Sequence, residues 1–146
     1  MTLIYIFAAE CLAKGSNHTY INGICFFVAM DLFNYTDAMA NCQSQFGSNN
    51  TGKLFEPRDA STNDQVIEFA KQIILPSTSG LHIGINDMAY EGTWQYATGG
   101  YLVYTNWETP NPNNGGYGED CGETWTGTTW NDGHCWDKQP SICEMI

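Results

Sequence analysis

Residues 111–132 read NPNNGGYGEDCGETWTGTTWND and crowd asparagine amides and carboxylates into a stretch otherwise rich in glycine, threonine and aromatic residues. Calcium takes about six to eight oxygen ligands from carboxylates, amide carbonyls, backbone and water, in geometries that irregular loops can supply. Asn111, Asn113 and Glu119 lie in one loop, and Asn131 and Asp132 follow the next turn. A bond between Cys121 and Cys135 would tie the intervening strands together and draw these oxygens into one cage. The same residue types also build ordinary solvated turns. The residues by themselves therefore leave two readings open, a calcium cage and an acidic turn.

Other chemistries have less support. No serine sits in a G-x-S-x-G setting, and the adjacent carboxylates of Glu119 and Asp120 fit metal ligation better than paired acid and base catalysis. An enzyme is the weakest reading. His82 is expected to pack within a β-region, and His18 and His134 to lie on loops. Sixteen acidic residues against five basic ones give a formal charge of -11, which disfavours nucleic acid and anionic membranes and favours cations or neutral partners. No run of apolar residues reaches membrane-spanning length.

Six cysteines, at positions 11, 25, 42, 121, 135 and 143, contain no C-x-x-C pair and no zinc-like spacing. An even set of this kind points to a disulfide framework in an oxidising compartment, hence to a secreted, extracellular chain. Sequons at Asn17, Asn34 and Asn49 agree with that location.

The elements that must position the oxygen-rich stretch are legible in outline. The 146 residues, 42% apolar and 14% aromatic, suit one domain over residues 1–146 with its own core. The N-terminal MTLIYIFAAECLAK lacks a basic n-region, and cleavage after Ala13 would remove Cys11, so it is kept in the fold and expected as a first strand. In TYINGICFFV, Asn22-Gly23 predicts a hairpin because both residues tolerate positive φ. NYTDAMANCQSQFG has helical spacing at Tyr35, Ala38, Met39, Cys42 and Phe46, with Thr36 or Asn34 as cap and Gly47 as stop. STNDQVIEFAKQII predicts a second helix capped around Ser61 and Asp64, with an apolar face of Val66, Phe69, Ala70, Ile73 and Ile74, ended by Pro76. From Leu81 onward short β-prone runs alternate with turn residues. Helices first and strands later imply an α+β domain.

In their order along the chain, HIGINDMAYEGTWQY, YTNW, PN followed by EDC, WND and the closing ICE resemble the C-type lectin domain family across nearly the whole sequence. The resemblance implies a C-type lectin-like fold, two helices packed on small antiparallel sheets with a long calcium-binding loop. It also implies the pairs Cys11–Cys25, Cys42–Cys143 and Cys121–Cys135, the first marking the family's longer form. By the same resemblance a calcium ion falls to Asn111, Asn113, Glu119, Asn131 and Asp132, with a cis bond before Pro112. Those residues would also contact a sugar whose vicinal hydroxyls coordinate the ion. A second calcium would fall to Asp87, Glu91, Asn114 and Asp120, with Glu119 shared.

The implied activity is calcium-dependent glycan binding, with microbial or cell-surface glycans as partners, a role in innate recognition, and room for a homo-oligomer. One departure bears on the sugar. The family commonly shows Glu-Pro-Asn for mannose-like or Gln-Pro-Asp for galactose-like sugars, and this chain reads Asn-Pro-Asn. The short loop after the motif leans to mannose, fucose or N-acetylglucosamine. Tyr117 and Trp136 are the aromatic residues near enough to stack on a ring, and a galactose-type lectin stays open. So does a protein-binding domain whose calcium loop is structural or empty.

Overall fold

The computed structural model describes residues 3–45, 52–74, 80–116 and 118–145. Phe46, Gly47, the sequon at Asn49, Pro76 and Tyr117, all singled out above, lie outside them.

The N-terminal segment departs from expectation, forming a helix, α1 (Leu3–Leu12), and not a strand. A continuous apolar run carries no period that separates strand from helix. Here Leu, Ala8 and Ala9 favour the helix, which meets its backbone hydrogen bonds within the segment. Cys11 is buried near its end and is bonded to Cys25, with Cα atoms 5.7 Å apart.

The hairpin forms as its turn predicts. Asn22 and Gly23 have φ of 50° and 86° between β1 (His18–Ile21) and β2 (Ile24–Phe33). In α2 (Tyr35–Ser44), Asn34 is the cap, its side chain accepting from the Asp37 N–H at 2.9 Å, and Tyr35, Ala38 and Cys42 are buried. After β3 (Gly52–Leu54) comes α3 (Ala60–Ile73), which begins earlier than expected. Asp59 caps it by accepting from the Thr62 N–H at 2.8 Å, and Ser61 lies within the first turn. Its buried face includes Val66 and Ala70 as expected, and also Ile67.

The remaining strands are β4 (His82–Asn86), β5 (Gln95–Tyr96), β6 (Cys121–Thr124), β7 (Trp130–Gly133) and β8 (Gln139–Met145). They run in the order β1-β2-β8-β4-β6-β7, with β3 attached to β8 and β5 to β4. All pairings are antiparallel except β4 with β8, which meet in parallel at His82 and Ser141. The α+β class and the three expected disulfides are thus present, with α1 as an added helix.

One core cluster joins α3 to the sheet through Val66, Ile67, Ala70, Ile83, Ile85 and Trp130. A second packs α2 on the other strands around Tyr35, Leu54 and the Cys42–Cys143 bond. Trp130 is where core and loop meet. Its indole donates to Asn63 Oδ1 at 2.8 Å, while the rings of Trp107 and Tyr104 meet it edge-on at 5.5 and 5.6 Å. Its backbone donates to Asn106 and accepts from Glu108, both at 2.9 Å, so the chain before residue 111 is stitched to β7.

Candidate cation and ligand site

The site grows out of the β6–β7 ribbon. Its register places Gly122 opposite Asp132 and Glu123 opposite Asn131, and the Cys121–Cys135 bond closes its end. Residues opposite one another in an antiparallel pair point to the same face. Asn131 thus shares a face with Glu123 and Asp132 with Gly122, and the segment at Asn113 and Asn114 is held to Asp132.

Asp132 holds that loop in place. It is 1% exposed, and its Oδ2 accepts from the N–H groups of Asn113 and Asn114 at 2.9 and 2.6 Å. Its Oδ1 is buried without a hydrogen-bond partner among the described residues. A buried carboxylate oxygen left unpaired costs free energy unless a cation or water meets it.

Glu119 lies within electrostatic reach of Asp132. The bond before Pro112 is cis, as expected, and so is that before Pro110. Asn111 is half-buried, its N–H donating to Glu108 at 2.6 Å. Asn113 Oδ1 accepts from Gly115 N–H at 3.2 Å, and a Cβ built on Gly115 would lie 2.9 Å from Glu119 Oε2 and 3.4 Å from Asn113 Oδ1, so glycine leaves room for both oxygens. Partial burial and then the charge of Asp132 push the Glu119 carboxyl above its usual range. That electrostatic tension is what a divalent cation would relieve.

A second acidic group stands next to the first. Ligand atoms of Asp87, Glu91 and Asp120 lie within 4.8 Å of one another. Asp87 Oδ2 accepts from Gly92 N–H at 2.7 Å, and its Oδ1 is buried without a partner among the described residues. Burial and the charge of Asp120 raise the Asp87 carboxyl. Asn114 differs from these three. Its Oδ1 already accepts from the N–H groups of Gly118 and Glu119, at 2.8 and 2.9 Å, so its amide braces the loop. Both carboxylate groups fit calcium by donor chemistry, being hard oxygens with unpaired buried members and no neighbouring ammonium or guanidinium among the described ion pairs.

Beside the loop, His134 stacks on Trp136 with ring centroids 4.2 Å apart, and its Nδ1 meets the Gly118 carbonyl at 3.2 Å. Trp136 is 65% exposed, which leaves it open to a ring-shaped ligand. Beneath the site, Asn131 Nδ2 donates to Glu123 Oε1 at 2.8 Å. Sequence reading missed Glu123, and only its strand register with Asn131 marks it.

The lectin C-type domain model matches residues 32–145. Tetranectin of Bos taurus is 34% identical over 133 residues, an alignment covering 87% of this chain and 62% of the relative, so the chain spans less than two thirds of that protein. Among solved structures, the C-type lectin CEL-I from Cucumaria echinata is similar at a TM-score of 0.78 and 23% identity, covering 90% of this chain and 96% of that one. The cow carbohydrate-recognition domain of CD23, solved in the presence of GlcNAc2Man3 oligosaccharide, gives 0.75 and 22%, over 90% and 95%. These structural likenesses concern the fold. No helix among the described residues is long and apolar enough to cross a membrane.

Proposed function

Because this chain belongs to the lectin C-type domain family, a family of binding proteins, we propose that it is a secreted, calcium-dependent glycan-binding domain. The observation carrying the proposal is Asp132, whose one oxygen holds the N–H groups of Asn113 and Asn114 while the other stays buried with no hydrogen-bond partner among the described residues. Asn111, Asn113, Glu119, Asn131 and Asp132 would hold the cation, and Asp87, Glu91 and Asp120 a second one. Bound calcium supplies coordination positions that two vicinal hydroxyls of a sugar can fill in place of water.

The chain's own groups orient that sugar. Asn113 offers an amide N–H to a hydroxyl, and Glu119 accepts a hydroxyl proton. Asn111 differs from a glutamate at the same place because it adds a donor and removes an acceptor. The short Asn114–Gly116 segment after the motif favours mannose, fucose or N-acetylglucosamine. The exposed Trp136 stack favours a galactose-type ring instead, as the second reading.

A glycan array probed with and without chelator tests the function. Retention of mannose-class glycans only in calcium is the expected result, galactose-class retention selects the second reading, and binding indifferent to chelator overturns both.

The charge count yields a further expected outcome. Of the five primary ligands only Glu119 and Asp132 are ionised. Ligand charge tunes calcium affinity, so Asn111→Glu should tighten calcium on the order of tenfold while restoring a hydroxyl acceptor. Calorimetric titration with calcium, then with mannose at saturating calcium, separates the two effects. Unchanged or weaker calcium affinity would refute the charge argument.

A further inference from the structure

Glu123 occupies a slot cut for it. A Cβ on Gly80 would lie 2.6 Å from Glu123 Oε2, and one on Gly133 would lie 2.9 Å from its Cδ, so a side chain at either place would press on the carboxylate. The carboxylate is buried and has no ion-pair partner among the described residues. Two amides satisfy it, Asn131 Nδ2 on Oε1 and Gln139 Nε2 on Oε2, each at 2.8 Å.

The direction of the bonds around His82 and Gln139 follows from their partners. His82 Nε2 lies 2.9 Å from the Phe33 carbonyl and 3.1 Å from that of Asp137. Carbonyls only accept, so Nε2 carries the hydrogen and Nδ1 of a neutral ring is the acceptor. Gln139 Nε2, 3.2 Å from that Nδ1, therefore turns its NH2 toward both His82 and Glu123. With its carboxylate ionised, Glu123 accepts on both oxygens. The amide of Asn131 is fixed in consequence, since a flipped amide would set its oxygen against a carboxylate oxygen. Its Oδ1 points away from Glu123.

We propose that Glu123 is a positioning residue for the cation site, locking the Asn131 amide with its oxygen toward the ion and setting a third negative charge directly behind it. This rests on the calcium reading above. Glu123 offsets the neutral Asn111, bringing the negative charges in and just behind the cage from the two of Glu119 and Asp132 to three. Outer partners that orient ligands typically change metal affinity by about 10- to 100-fold when removed.

Equilibrium dialysis of the whole chain against calcium chloride, with thermal melts in chelator, tests it. Glu123→Gln is expected to weaken calcium binding about 10- to 100-fold, because a carboxamide lets Asn131 turn its NH2 to the ion. Combining Glu123→Gln with Asn131→Asp exchanges amide and carboxylate across the same strand pair, and should recover most of that loss. Gln139→Met removes a neighbour but leaves the Glu123–Asn131 bond, so it should lower the chelator-state melting temperature while calcium affinity stays within about threefold of the wild type. The proposal is overturned if Glu123→Gln binds like the wild type, if the exchange gives no recovery, or if Gln139→Met loses as much affinity as Glu123→Gln. A wild-type chain that takes up no calcium overturns the calcium reading itself, and this proposal with it.

Discussion

Glu119→Ala should abolish glycan retention at millimolar calcium while leaving the fold in place. Glu119 is one of the two carboxylates in the proposed primary set, and its Oε2 lies with Asn113 Oδ1 around Gly115. Removing it halves the ligand charge and also deletes the acceptor for a sugar hydroxyl, so ion and glycan affinity fall together, each by at least about a hundredfold. Its backbone remains held by Asn114 Oδ1, which limits the cost in stability. Asp120→Ala should do less, since that carboxylate stands with Asp87 and Glu91. Retention on mannose-coated beads and calcium dialysis measure both variants. Undiminished retention by the Glu119 variant would sink the coordination model.

Trp130→Ala should lower unfolding free energy by about 3–5 kcal/mol, the range for deleting a large buried aromatic side chain. Trp130 is fully buried, donates to Asn63, and receives Trp107 and Tyr104 on its ring. Trp130→Phe keeps an aromatic body but leaves Asn63 Oδ1 without its donor, a smaller loss of about 1–3 kcal/mol. Urea titrations in chelator place the two variants on one scale. A loss below about 1 kcal/mol for Trp130→Ala would show that the loop carries its own order, against the packing described here.

The parts of this molecule that announce themselves in sequence are those whose determinants are local. Asn22-Gly23 fixes its turn through its own φ preferences, and the spacing of Tyr35, Ala38 and Cys42 fixes the inward face of α2. The oxygen-rich residues at 111–119 and 131–132 were visible as a cluster of donors, and resemblance to a family supplied the disulfide pairs and ligand sets. Features that depend on neighbours across the sheet were not legible. Glu123 reads as one more polar strand residue until register sets it opposite Asn131, and Gln139 joins it from β8. His82 is buried in the β-region as expected, but only tertiary placement shows the two carbonyls to which its Nε2–H donates. At the N-terminus the apolar run carries no period that separates strand from helix, and only the helix preference of its leucine and alanine residues speaks for the helix that forms.

The position of β8 bears on how the domain comes into being. Residues 139–145 are hydrogen-bonded to β2, β3 and β4, so the middle of the sheet is made from residues that leave the ribosome after all the other strands. Until they emerge, β2 and β4 have no common neighbour, and the inner faces of α2 and α3 rest on an incomplete sheet. A nascent chain still lacking β8 therefore exposes apolar surface and unpaired strand edges, the kind of surface chaperones recognise. Ribosome-stalled chains that stop before residue 139 should be cut readily by protease, and chains that carry residue 145 clear of the exit tunnel should resist it.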